Sequence, residues 1–242
     1  MRATMKIDLP FDVDFTNPDY TRVFKIRADR LARIRKSPAC IPYLKRYYQD
    51  NPAQFICDWG MTFDPRNVER GLPAAIPFLP FPRQVEWIDH VVNDLWKQQQ
   101  DGISEKSRDM GLSWLSVALG CTLCLFHEGM VVGYGSRKEE YVDKIGSPKS
   151  LFWKARMFLR LLPGEFRGQY NEKTDSPHMR INFPGTNAVM SGESGDGIGR
   201  GDRTSMYFTD EEAFLPRPHL VEASLSQTTN CRVSISTPNG MA

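Results

Sequence analysis

The sequence predicts a mixed α/β protein built on a mainly parallel sheet with helices on both faces. Three observations carry that prediction. Short apolar runs near 102–106, 130–135, 205–209 and 231–236 read as strands with helical stretches between them. Strand, loop, helix and strand in that order imply right-handed crossovers and parallel pairing. The first strand runs into Glu105-Lys106-Ser107-Arg108-Asp109-Met110-Gly111-Leu112-Ser113-Trp114, which reads as a phosphate-holding loop opening a helix. The third ends in Asp210-Glu211-Glu212, carboxylates at the strand end that faces the ligand crevice of an open α/β sheet.

In chain order, residues 17–37 are expected to form a helix. Asn17-Pro18 is its start signal, Val23, Ile26, Leu31 and Ile34 make a partly regular apolar face, and Pro38 ends it. An aromatic-rich helix over 41–50 and a short one closed by Gly60 follow. The proline-punctuated stretch 64–82 cannot hold regular structure for long. It sets the expected boundary between a helical appendage with its linker, 1–79, and a core, 80–242. Residues 83–96 read as an amphipathic helix with positions 85, 88, 91, 92 and 95 on one face. After the strand at 102–106 and its loop, 113–127 reads as a buried helix. The strand at 130–135 has too few polar residues to be an exposed one. Helices near 138–145 and 148–162 stop at Pro163-Gly164, and 178–190 alternates as a hairpin turning at Pro184-Gly185. The glycine-rich stretch 192–201 has no register for a dinucleotide fingerprint and no helix behind it.

Length and composition narrow the classes. At 242 residues the chain is long enough for a real core, burying about 70 to 75% of the surface its unfolded form exposes. No run of about 20 apolar residues occurs, and the N-terminal segment carries acids where a signal peptide has its apolar stretch. A cytosolic chain without a membrane segment is therefore expected. Five cysteines at irregular spacing argue for reduced thiols. Cys121 and Cys124 lie in an apolar stretch with no second pair, which favours small core residues over a metal site. The net charge of +2 does not by itself imply nucleic acid. Arg22, Lys25, Arg27, Arg30, Arg33, Arg35 and Lys36 face the single acid Asp29 within one helix, either as a solvated face or as a surface for phosphate backbone or a partner.

Laid on G-x-x-x-x-G-K-[ST], Ser113 takes the hydroxyl position and Gly111 the second glycine. Lys106 stands where the first glycine belongs, and Leu112 replaces the lysine. The chemistry asks for backbone N–H groups around phosphate oxygens, a hydroxyl on Mg²⁺, a helix N-terminus and one cation near the β/γ-phosphates. A loop that wraps a phosphate brings its ends together, so Lys106 at the entrance can fill the space of a lysine at the exit. Arg108 is a second charge. Turns of this composition also open ordinary helices.

Asp210, at its strand end, can hold Mg²⁺ opposite Ser113, and Glu211 can orient and deprotonate a water; a strand can equally end in acids before a turn. The last strand ends in Ser236-Thr237-Pro238-Asn239-Gly240, where Ser236, Thr237 and Asn239 can sense a γ-phosphate or simply form a turn. The three pieces occur in the chain order of an ATP-hydrolysing P-loop core.

In that order, EKSRDMGLSW, MYFTDEEAF and STPNG resemble the deviant Walker A, Walker B and coupling motifs of the large terminase subunit of tailed double-stranded DNA phages. Pro80-Phe81-Pro82-Arg83-Gln84 is similar to the family's adenine-recognition segment. The resemblance covers about 50–240 and implies a RecA-like ASCE fold that binds ATP and Mg²⁺. It implies a nucleotide cradle of Lys106, Ser107, Arg108, Asp109, Met110, Gly111, Leu112 and Ser113, with Gln84 reading the base and Arg83 assisting. It further implies Ser113 and Asp210 on the metal, Glu211 as catalytic glutamate, Arg108 acting within the subunit and Arg200 reaching a neighbour's site.

The implied partners are viral double-stranded DNA, the portal protein, the small terminase subunit and further copies in a ring on the portal, with a monomer in isolation also compatible. The implied place is the host cytoplasm and the procapsid portal. The family's C-terminal nuclease domain is not seen, so no nuclease activity is expected. Two other classes remain open: a helicase-like DNA-stimulated ATPase, and a non-hydrolysing module that binds DNA or the portal with a degenerate nucleotide site.

Overall fold

The computed structural model describes residues 5–239, so Gly240 of the last turn and residues 1–4 lie outside the described residues. The chain opens with three helices, α1 (Tyr20–Lys36), α2 (Ile41–Asp50) and α3 (Pro52–Trp59). Proline begins α3, where its missing N–H costs nothing, and Gly60 follows its last residue. Every residue of α3 is buried, and Phe55, Ile56 and Trp59 enter the main core.

Three arginines of the basic run in α1 are engaged within the chain. The Arg27 guanidinium donates to the carbonyls of Cys57 at 2.6 Å and Gly60 at 2.9 Å, placing a cation at the C-terminal end of α3. Arg30 pairs with the buried Asp58, and Arg35 pairs with Glu165 at 2.6 Å. Much of this helix's charge is therefore structural, an outcome that neither reading of the sequence had included.

The proline-rich segment holds more structure than its composition suggests. Its short strands β1 (Met61–Phe63) and β2 (Ala75–Pro77) pair antiparallel. Helix α4 (Pro82–Asp89) continues as a π-helix over His90–Trp96, so the amphipathic stretch is one rod with a wider second half.

The main sheet has six strands: β3 (Gly102–Glu105), β4 (Val131–Ser136), β5 (Arg180–Phe183), β6 (Ala188–Ser194), β7 (Met206–Asp210) and β8 (Arg232–Ser236). Their spatial order is β3-β8-β7-β4-β6-β5. All neighbours are parallel except the β5–β6 hairpin. The α/β class with a mainly parallel sheet flanked by helices is thus as the sequence predicted. Strands β4 and β7 read as continuous apolar runs because nearly all of their residues are buried. Helix α5 (Leu112–Phe126) leaves the loop after β3 and is apolar nearly all round, which suits an element covered by the sheet on one side and by other helices on the other. Cys121 and Cys124 are buried in it. Short helices α6 (Glu139–Val142), α8 (Gly164–Arg167) and α9 (Glu172–Asp175), with the longer α7 (Leu151–Leu161) and α10 (Pro218–Thr228), complete the chain. Among the described residues no helix is long and apolar enough to cross a membrane.

One buried ion pair braces the half of the sheet away from β3. Arg156 of α7 makes a bidentate pair with Asp143 at 2.6 and 2.7 Å, and Asp143 also accepts the Met179 amide at 2.7 Å. Burial alone would raise the Asp143 pKa, but these bonds hold it below the usual carboxylate value. Its contribution is present at neutral pH and is lost as pH falls through that lowered value. Asp143→Ala, which strands a buried guanidinium, is expected to cost about 3–5 kcal/mol in urea unfolding at pH 7. A loss below about 1 kcal/mol would show that water reaches the pair.

Candidate functional site

The parallel ladder delivers four strand ends to one edge of the sheet. Glu105 pairs in register with Ser236, and Ser136 with Asp210, so the ends of β3, β8, β7 and β4 lie side by side. The loop from Lys106 to Gly111 leaves this edge, and its entrance is fixed by the Lys106 amide donating to Ser236 O at 3.0 Å. Gly111, in the left-handed conformation, caps α5. Ser113 in the first turn then reaches β7. Its hydroxyl donates toward both Asp210 oxygens, at 2.9 and 3.1 Å.

Burial pushes the Asp210 carboxyl above its usual range. The Ser113 bond and the positive charges of Lys154 and Lys106 oppose that rise, and the negative charge of Glu211 adds to it. Lys106 is therefore within electrostatic reach of the Ser113–Asp210 pair. Leu112, where the pattern has a lysine, is buried in the main core and offers the loop no cation. Ser107, Arg108, Asp109 and Met110 are exposed. Asp109 adopts φ 64° and pairs with Arg66 at 3.3 Å.

Gln84 uses its amide within the chain. Its Oε1 accepts the Phe81 amide and its Nε2 donates to Met110 O, both at 3.0 Å, which braces the loop from α4. Arg83, 89% exposed, pairs with Glu86. Glu211 follows Asp210 in a left-handed turn, φ 57°. Ser236 and Asn239 hold the segment just beyond it. Ser236 Oγ accepts the Ala213 amide at 3.2 Å, and Asn239 Nδ2 donates to Ala213 O at 2.8 Å. Thr237 contributes its carbonyl to Ser236 Oγ at 2.9 Å. Arg200 is not brought into this cluster. It lies exposed in the glycine-rich loop.

Two cations at the site escaped the sequence reading. Arg137, just past the end of β4, places Nε 3.8 Å from Glu211 Oε2 and lies over the Tyr141 and Phe214 rings. Nothing in the spacing announces it, because β4 becomes the neighbour of β7 only through the strand order. Lys154 of α7 is buried and donates to Lys149 O at 2.7 Å. Its signal was available: a lysine among Leu151, Ala155 and Phe158, on the apolar stripe of an amphipathic helix.

No family model and no curated protein matches the sequence. Among solved structures, the chain is similar to the large terminase of bacteriophage HK97 at 15% identity and a TM-score of 0.52, over 66% of this chain and 33% of that one. It is also similar to the large terminase ATPase domain of Thermus phage P74-26, at 17% identity and a TM-score of 0.49, over 68% of this chain and 67% of that one. The HK97 likeness shows a shared fold, and the match spans a third of the HK97 chain.

Burial lowers the Lys154 pKa to about 8, against the attraction of Asp210. Between that value and the ordinary 10.5 the unfolded chain binds a proton that the folded chain lacks, so stability rises with pH across this window. Relative to Lys154→Met, the unmodified chain should gain on the order of 2 kcal/mol between pH 8 and 10 in urea unfolding. A difference independent of pH would show an ordinary, solvated lysine.

Proposed function

We propose that this chain is the ATPase domain of a DNA-packaging motor of the phage large terminase type. The observation that carries the reading is the bond between the Ser113 hydroxyl, at the N-terminus of α5, and the Asp210 carboxylate, at the end of β7. A hydroxyl and a carboxylate are hard oxygen donors of the kind Mg²⁺ takes beside nucleotide phosphates and water. These two are held 2.9 Å apart at a helix N-terminus that favours an anion, so they fit MgATP. Residues 80–242 carry the nucleotide site in this account, with 1–79 as a helical appendage and linker whose α3 packs into the same core.

Lys106 and Arg108 supply positive charge to the β/γ-phosphates, and the backbone of 107–112 wraps them. The base approaches from the side of Arg83 and Gln84, where Gln84 reads it. Glu211 takes the proton of the water that attacks the γ-phosphorus, and the bridging oxygen leaves with ADP. In the structure Arg137 pairs with Glu211, so that carboxylate must be freed from the pair to act as a base. Ser236 and Asn239, bonded to Ala213 two residues beyond Glu211, transmit the loss of the γ-phosphate to the chain. Arg200 completes the site of a neighbouring copy, an arrangement that makes hydrolysis depend on a ring. Viral double-stranded DNA, the portal and the small terminase subunit are the partners, in the cytoplasm of an infected host and at the procapsid portal.

Glu211→Gln keeps the shape of the side chain and removes the base. Turnover should fall by roughly 10²–10⁴ while MgATP affinity stays within a few fold. Unchanged turnover would remove Glu211 from the mechanism. A folded chain that binds no MgATP would favour a DNA- or portal-binding module with a degenerate nucleotide site.

A further inference from the structure

The glycine-rich loop that carries Arg200 is organised by one carboxylate. Glu193, near the end of β6, accepts the Gly199 amide on Oε2 at 2.6 Å and the Gly201 amide on Oε1 at 2.7 Å. These two amides flank Arg200. The arginine itself is exposed, and among the described residues its side chain makes no hydrogen bond or ion pair. Bonds to an ionised acceptor are short and roughly twice as strong as neutral ones, so the backbone on either side of Arg200 is fixed while its guanidinium is left free. Gly199 takes φ +76°, and a Cβ there would lie 2.8 Å from the Leu225 amide nitrogen of α10. The loop therefore fits against α10 only with glycine at this position.

The same carboxylate is tied to the strand of Asp210. From β7, Tyr207 reaches across β4 to β6, and its hydroxyl donates to Glu193 Oε2 at 2.8 Å. The ring passes over Gly133, where a Cβ would lie 2.2 Å from Tyr207 Cδ2. Ile198 of the loop, Tyr207, Leu215 beyond Glu211, and Val221 and Leu225 of α10 form a small core separate from the main one. The arginine loop, the strand of Asp210 and the segment after Glu211 thus share one packed unit.

We propose that Glu193 is the positioning residue that holds Arg200 out for a second copy of this chain, and that Tyr207 links this hold to the strand of Asp210 and Glu211. The proposal rests on the reading of the chain as an ATPase whose Arg200 acts on a neighbour. Holding a reacting group in place before the encounter removes part of the entropic barrier. A loosened loop therefore lowers turnover in the neighbour without weakening the nucleotide site of its own chain.

The test is ATP turnover against protein concentration for the unmodified chain, Arg200→Ala, Glu193→Gln, Tyr207→Phe and, as a control outside the clamp, Arg203→Ala. Turnover per chain should rise with concentration in the unmodified protein and in Arg203→Ala. It should fall at least tenfold in Glu193→Gln and several-fold in Tyr207→Phe, with MgATP affinity unchanged and faster amide exchange at Gly199 and Gly201. Mixing Glu193→Gln with Glu211→Gln should restore turnover, because the second protein's intact arginine serves the first protein's intact site. Failure of that mixture, where Arg200→Ala with Glu211→Gln succeeds, overturns the positioning role, as does full turnover in Glu193→Gln with exchange accelerated. Turnover independent of concentration, or unaffected by Arg200→Ala, overturns the underlying reading of Arg200 instead.

Discussion

The hydrogen bond from Ser113 to Asp210 closes a separation of 97 residues, and the rest of the site is arranged by the two elements it joins. It exists because β3 and β7 run parallel with β8 between them, which brings the start of α5 beside the end of β7. Parallel pairing requires crossover connections, and these put every strand end that carries chemistry on one edge. Lys106 at the entrance of the loop, Glu211 beyond β7, Ser236 at the end of β8 and Asn239 beyond it follow from that single constraint. Arg137 arrives at the same edge from β4.

The electrostatics of the cluster follow from burial. Asp210 lies where a charged carboxylate is costly, and three partners offset the cost: the Ser113 hydroxyl, Lys154 and Lys106. With Leu112 turned into the core, the positive charges acting on Asp210 come from Lys106 at the loop entrance and Lys154 of α7. On the proposed reading, an arriving MgATP meets a site whose positive charge is already in place. The loop itself is braced from below by Gln84, whose amide oxygen accepts from Phe81 and whose amide nitrogen donates to Met110.

Much of this was legible in the sequence. The elements that carry the site were readable from apolar runs and turn signals, and Ser113, Asp210 and Glu211 stood out because each sits at the boundary of such an element. What was not legible depends on the order of strands in space. The contact of Arg137 with Glu211 and that of Glu193 with Tyr207 arise only because β4 lies between β7 and β6, an order that no spacing encodes. The glycines of Val131–Ser136 make sense only once Tyr207 crosses them. The arginines of α1 read as surface charge because the pattern does not show that the C-terminal end of α3 and Asp58 lie beneath them. Gln84 could be placed near the loop, but its bonds to the loop backbone could not be foreseen from its neighbours in sequence.

The most direct test of the central claim, a nucleotide site whose phosphate cation enters from the wrong end of the loop, is calorimetry of MgATP binding to the unmodified chain and to Lys106→Ala. On the proposed reading, binding does not require the neighbouring copy that turnover needs. The account predicts saturable binding to the unmodified chain and at least a tenfold loss in the variant, which is about 1.4 kcal/mol or more. Equal affinity in the two proteins would contradict it and move the role to Arg108 or Lys154.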